Sequence, residues 1–303
     1  MKPVELQLGL PTFTAFPGAP APDGGENGTE MPIKPATNPI YTPSGAALEY
    51  SPRALNHYQD IQDGDHGYGC DHRCGYCYRL SFNNRYNRTP TLPATPTPKP
   101  GLLEGLDRQL TRHPETEQVL LSFAGDPYCR VEPEVGFTRE VLKVLLKHQV
   151  PVAILTKGGS RCLRDLDLFK QFKRIKVGAT LTRRRDEDSL RDEPGAALPG
   201  DRLHALEVLH AEGIQTWASF EPVLDTGDAL WLLEHSAIFV DGYKIGKLNH
   251  KRNDTDWGEW FRDAVTVMRG LDKRFYIKNG LAGYAPKGFV FRPGERDPNF
   301  MNV

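Results

Sequence analysis

The sequence predicts an α/β protein with a mainly parallel sheet, and three observations support this prediction. From about residue 102 onward, short apolar runs alternate with amphipathic stretches, which is the pattern of parallel strands joined by crossover helices. A length of 303 residues fits one barrel with additions. The hydrophobic fraction of 39% provides a large core and excludes a wholly disordered chain. We expect a partial or full barrel rather than an open sheet.

The predicted strands are five apolar runs, at 118–123, 150–155, 175–181, 214–220 and 237–245. A short strand before Cys70 brings the number of βα units to about six. Apolar spacings of three and four predict three amphipathic helices between these strands, at 137–148, 203–209 and 257–268. Two shorter helices are predicted at 163–172 and 228–235.

Composition divides the chain into three predicted regions: an N-terminal extension at 1–48, a core barrel at 49–285 and a C-terminal tail at 286–303. The extension contains nine prolines and six glycines, and such a stretch buries too little apolar surface to form its own core. It is either a loose arm or an arm laid across the barrel, where the apolar side chains of Ile40 and Tyr41 could dock.

The charge balance limits the classes of function. Thirty-eight basic and thirty-nine acidic residues give a formal net charge of −1, unlike a protein that binds nucleic acid through bulk positive charge. Local basic grooves remain possible. No run approaches the length of apolar sequence that spans a membrane, and the first residues lack a signal pattern. We therefore expect a cytoplasmic protein with no membrane partner.

Polar residues follow most of the predicted strands directly. In parallel α/β folds the chemistry lies at the carboxyl ends of the strands, so these residues form a candidate site. They are Gly125-Asp126-Pro127-Tyr128, Thr156-Lys157, Thr180, Thr182, Glu221-Pro222 and the residues from Lys244 to Asn249.

Three of the five cysteines lie close together, at Cys70, Cys74 and Cys77, with C-x3-C-x2-C spacing. In a reducing compartment, clustered thiols are typical of metal or cluster ligands. A zinc site needs four ligands, and His66 or His72 could supply the fourth. A [4Fe–4S] cluster held by three thiolates instead leaves one iron open to a chelating small molecule. The spacing alone leaves both possibilities open.

The cysteine motif, with Tyr76 directly before its third cysteine, resembles the signature of the radical S-adenosylmethionine (radical SAM) enzymes. The surrounding sequence resembles the branch related to spore photoproduct lyase and to proteins loosely called DNA-repair photolyases. The likeness covers roughly residues 45–250. Its further matches are Glu49-Tyr50-Ser51-Pro52, Ala54-Leu55-Asn56, Gly125-Asp126-Pro127-Tyr128, Thr156-Lys157, the segment from Glu193-Pro194 to Arg202-Leu203, and Glu221-Pro222.

The resemblance implies a partial (β/α)6 barrel of the TIM type. It also implies a [4Fe–4S] cluster bound by Cys70, Cys74 and Cys77, whose open iron binds the amino and carboxylate groups of S-adenosylmethionine. Reductive cleavage of the sulfonium would give a 5′-deoxyadenosyl radical, which removes a hydrogen atom from the substrate. An electron donor such as a flavodoxin or ferredoxin is implied as a partner.

The resemblance also implies roles for the residues at the strand ends. Tyr76 would lie against the adenine, Gly125 and Asp126 would meet the methionine amino group, and Lys157 would meet its carboxylate. Thr180 is expected to contact the ribose, and Glu221 would face the cofactor or the substrate. Each of these residues also has an ordinary structural explanation, such as a chain turn at Gly-Asp-Pro or an exposed lysine at a strand end.

Two further residues are candidates for the radical path. Tyr78 matches a tyrosine that the family places beside it, and Cys129 is a candidate hydrogen-atom donor because S–H bonds are weak. The spore lyase family has a cysteine three residues before its Asp-Pro, where this chain has Phe123. The resemblance therefore does not imply photoproduct repair by that route. An ordinary buried thiol is the alternative for Cys129.

Three hypotheses for function remain. The first is a radical enzyme acting on a nucleobase in DNA or RNA, as repair or modification, with phosphates held by a basic rim of Lys244, Lys247, His250, Lys251 and Arg252. The second is a radical enzyme acting on a small molecule or peptide, which the neutral charge and Phe123 favour. The third is an iron–sulfur or zinc-binding module without catalysis.

Overall fold

The computed structural model describes residues 38–59, 61–62, 65–66, 70–78, 95–249, 253–299 and 302–303, all within one compact unit. Its main feature is an eight-stranded sheet with strand order β1-β2-β7-β8-β9-β10-β11-β12. Every neighbouring pair from β2 to β12 is parallel, and β1 pairs antiparallel with β2 at the edge. The strands of this sheet are β1 Ile40–Tyr41, β2 Arg53–Leu55, β7 Val119–Leu121, β8 Val152–Thr156, β9 Ile175–Thr180, β10 Gln215–Phe220, β11 Gly242–Ile245 and β12 Arg274–Ile277.

Two small antiparallel ladders precede the second parallel strand. They pair β3 Tyr58–Gln59 with β6 Thr97–Pro98 and β4 Ile61–Gln62 with β5 Asp65–His66. The helices are α1 Leu102–Arg112, α2 Glu132–Val135, α3 Phe137–Lys147, α4 Leu166–Phe169, α5 Asp186–Asp192, α6 Pro199–Ala211, α7 Thr226–Ser236, α8 Trp257–Gly270 and α9 Asn279–Ala282, with 3-10 turns at Gly45–Ala47 and Gly159–Asp165. None of the helices in the described ranges is long and apolar enough to span a membrane.

The predicted alternation of strands and helices is confirmed, although α1 and α5 were not predicted and several bounds differ. The prediction for 237–245 was too long, because α7 is followed by a turn in which Ile238 is 80% exposed and β11 begins only at Gly242. The predicted helix at 163–172 is divided between a 3-10 turn and α4. The sequence analysis also missed β12, a seventh parallel strand whose run of apolar residues is only three long.

Alternation along the strands gives the sheet two different faces. The outer face packs under the helices with side chains such as Val119, Ile154 and Phe220, each fully buried. The inner face carries Trp217 beside Leu120 and Ala153. This alternation follows from the period of two in a strand. Polar side chains can therefore occupy the inner face of strands whose other side is apolar.

The sheet curls so that its two ends come close together. Strands β2 and β12 are separated by six strand spacings, which would be about 29 Å in a flat sheet. Nevertheless Tyr276 on β12 donates a hydrogen bond of 2.8 Å to Glu49, which precedes β2. Lys244 on β11 donates to the carbonyl oxygens of Glu49 and Tyr50, the latter at 3.0 Å. These contacts are the mark of a partial barrel.

The described part of the predicted extension and the described part of the tail both contact the sheet. Ile40 is buried and its pairing extends the sheet edge, so this part of the predicted extension lies on the barrel. In the tail, the carbonyl oxygen of Glu295 accepts from the backbone N–H of Ile277 at 2.8 Å. The backbone N–H of Val303 donates to Gln118 at 3.2 Å. The three predicted region boundaries stay predictions.

Candidate functional site

The three clustered cysteines lie on one loop, residues 70–78, which we call the cysteine loop. Their thiols are partly exposed and unpaired, at Cys70, Cys74 and Cys77. Within the described ranges, no three His, Cys, Asp or Glu side chains converge on one ion-sized position. Three thiols on one loop have the ligand chemistry of a cluster in which each thiolate binds a different iron.

His72, one of the two proposed zinc ligands, is engaged elsewhere. Its ring is buried, with Nδ1 3.4 Å from the carboxylate of Asp126 and Nε2 3.4 Å from a guanidinium nitrogen of Arg161. Arginine can only donate, so Nε2 accepts and Nδ1–H faces Asp126. Burial lowers the pKa of His72 to about 4, which keeps the ring neutral. The side chain of His66, the other proposed ligand, lies outside the described residues.

The cysteine loop is held by the segment at 192–195, which begins at the last residue of α5. The backbone N–H of Gly75 donates to the carbonyl oxygen of Asp192 at 2.9 Å. The N–H of Gly195 donates in turn to the carbonyl oxygen of His72 at 2.9 Å. On the other side of the loop, Asp71 accepts a bond of 2.9 Å from the N–H of Arg130. The loop is therefore fixed at three points by parts of the chain that are distant in sequence.

Tyr76 and Lys157, which were predicted as separate cofactor contacts, lie together. The Lys157 ammonium is 5.5 Å from the centroid of the Tyr76 ring. The Tyr76 hydroxyl donates to one oxygen of Glu193, which is 3.9 Å from the Lys157 ammonium. The other oxygen of Glu193 accepts from Arg202. This cluster joins the cysteine loop, the end of β8 and α6.

Asp126 follows β7 and binds the end of the next strand. Its carboxylate accepts from the Thr156 hydroxyl at 2.6 Å and from the backbone N–H groups of Lys157 at 2.7 Å and Tyr128 at 2.8 Å. Burial alone would raise the pKa of Asp126, but the facing Nδ1–H of His72 and these donors favour the carboxylate and hold the pKa below its ordinary value. The carboxylate thus fixes the loop that contains Gly125, and its contact with a methionine ammonium stays a prediction.

Thr180 and Glu221 lie near each other on the inner face. Thr180 pairs in register with Ser219 on β10, and both are buried. The hydroxyl of Tyr50 lies 2.9 Å from that of Ser219 and donates to the carboxylate of Glu221 at 2.8 Å. The two predicted cofactor residues therefore belong to one surface at the carboxyl ends of β9 and β10.

Glu221 has two further partners, Asn249, which belongs to the predicted strand-end set, and Lys278, which sequence reasoning missed. Asn249 donates to one carboxylate oxygen at 2.8 Å, and the buried ammonium of Lys278 donates to the other. Lys278 directly follows β12, so the strand-end rule would have found it had that short strand been predicted. Glu193 and Arg202 were noted in the sequence only as part of a resemblance, because nothing local indicates that Glu193 meets Tyr76.

A row of three aromatic rings connects the cysteine loop to Glu221. The Tyr78 and Phe123 ring centroids are 6.0 Å apart, and those of Phe123 and Tyr50 are 6.1 Å apart. The Tyr78 hydroxyl also donates to the carbonyl oxygen of Phe123 at 3.4 Å. Phe123, which stands where the spore lyase family has its cysteine, is thus the middle ring of this row.

The two isolated cysteines are buried thiols. Cys129 and Cys162 have essentially no exposed area. Burial raises the pKa of Cys162 to about 12 and the pKa of Cys129 well above its ordinary value. Both therefore carry their protons at neutral pH, and the role of Cys129 as a hydrogen-atom donor stays a prediction.

The basic rim predicted after the sixth strand is not continuous at the surface. Lys244 is fully buried, and one of its donated bonds reaches the carbonyl oxygen of Pro298 at 3.0 Å. Its position on the inner face follows from the alternation of β11. Lys247 is partly exposed and lies 5.7 Å from the Trp257 ring centroid. His250, Lys251 and Arg252 lie outside the described residues.

The fold is similar to that of solved structures of other proteins. Solved structures with the same fold include SuiB of Streptococcus suis bound to S-adenosylmethionine, with a TM-score of 0.55 and 13% identity. That match covers 74% of this chain and 51% of SuiB, so the chain spans about half the length of that enzyme. Spore photoproduct lyase complexed with dinucleoside spore photoproduct matches with a TM-score of 0.54 and 13% identity, over 82% of this chain and 80% of the lyase.

Sequence comparison adds one relative of unknown role. An uncharacterized protein of Methanocaldococcus jannaschii is 28% identical over 186 residues, which cover 60% of this chain and 68% of that protein. No family model matches the chain. The mainly parallel α/β fold that the resemblance implied is thus confirmed.

Proposed function

We propose that the protein is a radical SAM enzyme in which Cys70, Cys74 and Cys77 hold a [4Fe–4S] cluster beside a bound S-adenosylmethionine. The observation that carries this proposal is the position of the cysteine loop, which is docked beside Asp126 and Lys157 at the carboxyl ends of neighbouring parallel strands. When bound, the reduced cluster supplies the electron that cleaves S-adenosylmethionine to methionine and a 5′-deoxyadenosyl radical. A flavodoxin or ferredoxin is the expected electron donor.

The chain's own residues would bind and orient the cofactor. The Tyr76 ring offers a face for the adenine, and the Lys157 ammonium beside it offers a charge for the methionine carboxylate. Gly125, which has no side chain, would allow the methionine amino group to approach the backbone, and Thr180 would offer a hydroxyl to the ribose. The row formed by Tyr78, Phe123 and Tyr50 would exclude water from the radical path.

A direct experiment tests the cofactor chemistry. Anaerobic reconstitution should give about four irons per chain. Dithionite and S-adenosylmethionine should then release 5′-deoxyadenosine. The Cys74→Ala variant should lose both properties, while the matched control Cys162→Ala, which removes a buried thiol outside the loop, should retain them. Tight binding of one zinc ion without 5′-deoxyadenosine release would refute the proposal in favour of a non-catalytic module.

For the substrate, we propose a nucleobase in DNA or RNA, as repair or modification of an altered base. Spore photoproduct lyase, which has the same fold over most of both chains, is described in complex with a dinucleoside photoproduct. The carboxylate of Glu221, the amide of Asn249 and the ammonium of Lys278 offer acceptors and donors near the aromatic row. Binding of a single-stranded oligonucleotide should then weaken steeply as salt is raised.

A peptide or small-molecule substrate is the second candidate. SuiB, which shares the fold, is also described bound to its precursor peptide SuiA. Burial of Lys244 removes one cation from the rim that would hold phosphates. An absence of oligonucleotide binding at low salt, in protein that still releases 5′-deoxyadenosine, would favour this candidate.

A further inference from the structure

The carboxylate of Glu193 is a meeting point of three separate parts of the fold. Its side chain has no exposed area. One oxygen accepts from the Tyr76 hydroxyl and lies 3.9 Å from the Lys157 ammonium, and the other accepts from Arg202. A buried carboxylate is costly unless it is paired and hydrogen-bonded, so this position requires its partners.

Arg202 holds Glu193 rigidly. Its guanidinium also donates to the carbonyl oxygens of Ala197 at 2.8 Å and Thr180 at 2.9 Å. Arg202 therefore ties the side chain of Glu193 to the backbone at the end of β9. A carboxylate anchored in this way cannot follow a mobile tyrosine, so it is the tyrosine ring that is held in place.

Backbone hydrogen bonds on both sides of Glu193 also hold the cysteine loop against this segment. The bonds from Gly75 to Asp192 and from Gly195 to His72 flank the bond between Tyr76 and Glu193. The hydroxyl bond then fixes the far end of the Tyr76 ring, whose faces pack against the core and lie near Lys157.

The charges in this cluster favour an anionic group. Two cations, Arg202 and Lys157, lie beside the single carboxylate of Glu193. Arg202 is occupied by its bonds to Glu193 and the backbone, so Lys157 carries the charge that a ligand carboxylate could match. Glu193 limits the position of the Lys157 ammonium by attraction without forming a short bond to it.

We infer that Glu193 is a positioning residue, which orients the ring of Tyr76 and places the ammonium of Lys157 for S-adenosylmethionine. The inference rests on the proposed function and deepens it, because it assigns a role to a residue outside the cysteine motif. Glu193 acts through Tyr76 and Lys157 and does not touch the cofactor itself.

The test uses anaerobically reconstituted protein and measures S-adenosylmethionine binding by equilibrium dialysis, with iron content determined on the same samples. Glu193→Gln preserves the shape but removes the charge, and should weaken binding about tenfold, which is the loss of one charged hydrogen bond, while iron per chain is unchanged. The control is Glu187→Gln, the same change at an exposed position on α5, and it should bind like the wild type.

Tyr76→Phe provides a second, milder variant, because it removes only the hydroxyl and keeps the ring. It should also weaken binding, and the double variant should bind about as weakly as Glu193→Gln alone, since the two changes break the same connection. Additive losses would show that Glu193 does not act through Tyr76 and would overturn the inference. If Glu193→Gln does not fold, wild-type affinity in Tyr76→Phe overturns it equally.

The outcomes separate this inference from the proposed function. A wild-type protein that takes up iron but binds no S-adenosylmethionine would refute the proposed function and the inference together. Binding by the wild type, with equal affinity in Glu193→Gln and Tyr76→Phe, would refute only the inference.

Discussion

The ammonium of Lys278 donates to the carboxylate of Glu221 across an intervening strand. Glu221 follows β10 and Lys278 follows β12, and Gly246 follows β11 between them. A Cβ atom at Gly246 would lie 2.7 Å from a carboxylate oxygen of Glu221. The absence of a side chain on the middle strand is therefore what allows the two charges to meet.

The ion pair between Lys278 and Glu221 predicts that a single variant loses much more unfolding free energy than the double variant. Lys278 is 1% exposed, so Glu221→Gln leaves a buried ammonium without its carboxylate. We expect a loss of about 3–5 kcal/mol in the free energy of unfolding. Adding Lys278→Met should recover most of the loss, since an apolar side chain needs no partner. Urea denaturation of both single variants and the double variant measures this coupling.

Additive effects in that cycle would contradict the pairing. The variant Gly246→Ala tests the same ion pair by steric means, because the added methyl group must displace the Glu221 carboxylate. It should destabilise the protein in the wild type and much less in the double variant, where the ion pair is already absent.

A second prediction concerns the support of the cysteine loop. A Cβ atom at Gly195 would press against the carbonyl oxygen of Asp71 and lie 2.8 Å from the Cα atom of His72. Because these neighbours are backbone atoms, the loop must shift. Gly195→Ala should therefore lower iron uptake on anaerobic reconstitution to well below the wild-type level.

Gly200→Ala is the matched control, since a Cβ atom there would meet nothing within 4 Å. This position is in the first turn of α6, where alanine is favoured over glycine by about 0.5–1 kcal/mol. The control should take up iron normally and be at least as stable as the wild type. Equal iron uptake by the two variants would show that Gly195 does not hold the loop.

A third prediction concerns Asn56, which supports the chain after β7. Its side-chain oxygen accepts from the backbone N–H groups of Phe123 and Ala124, both at 2.9 Å. Asn56→Ala leaves these two donors without their acceptor and should cost about 1–3 kcal/mol in unfolding free energy. Asn56→Asp keeps the acceptor and should cost less. Thermal and urea unfolding rank the two variants, and the reverse order would contradict the assignment.

Much of this site could be predicted because two local rules are strong. Predicted runs of six or seven residues identified β7, β8, β9 and β10, and the rule that chemistry lies at the carboxyl ends of parallel strands then indicated Asp126, Lys157 and Glu221. The rule failed at Lys278, because β12 has too few apolar residues to stand out from its charged flanks.

The remaining differences have a tertiary cause. Lys244 was placed on a surface rim because lysine is seldom buried, yet the register of β11 directs it to the inner face. There it finds backbone carbonyl acceptors that come from residues 49, 50 and 298. The contact of Tyr76 with Glu193 joins residues 117 positions apart. No local pattern contains such partners, so only the folded chain shows them.

A last prediction concerns Lys176 on β9. Its side chain is fully buried on the inner face, with the ammonium 5.1 Å from the Trp217 ring centroid. Burial, assisted by Arg274, lowers the pKa of Lys176 from 10.5 to about 7. Between pH 7 and 10.5 the unfolded chain therefore holds a proton that the folded chain releases. The contribution of Lys176 to the free energy of unfolding is therefore lowest below pH 7 and rises with pH.

Lys176→Met removes this titration and keeps the length of the side chain. It should stabilise the protein at pH 7 by about 1–4 kcal/mol, and the gain should shrink as the pH approaches 10, because the free-energy cost of releasing the lysine proton on folding falls as the pH nears the ordinary pKa of lysine. Urea denaturation at pH 7, 8, 9 and 10 measures the difference. The control is Lys173→Met, the same change at an exposed site, which should alter stability little at any of these pH values. A constant difference between Lys176→Met and the wild type across this range would show that Lys176 keeps its proton on folding, because the dependence on pH comes only from proton release.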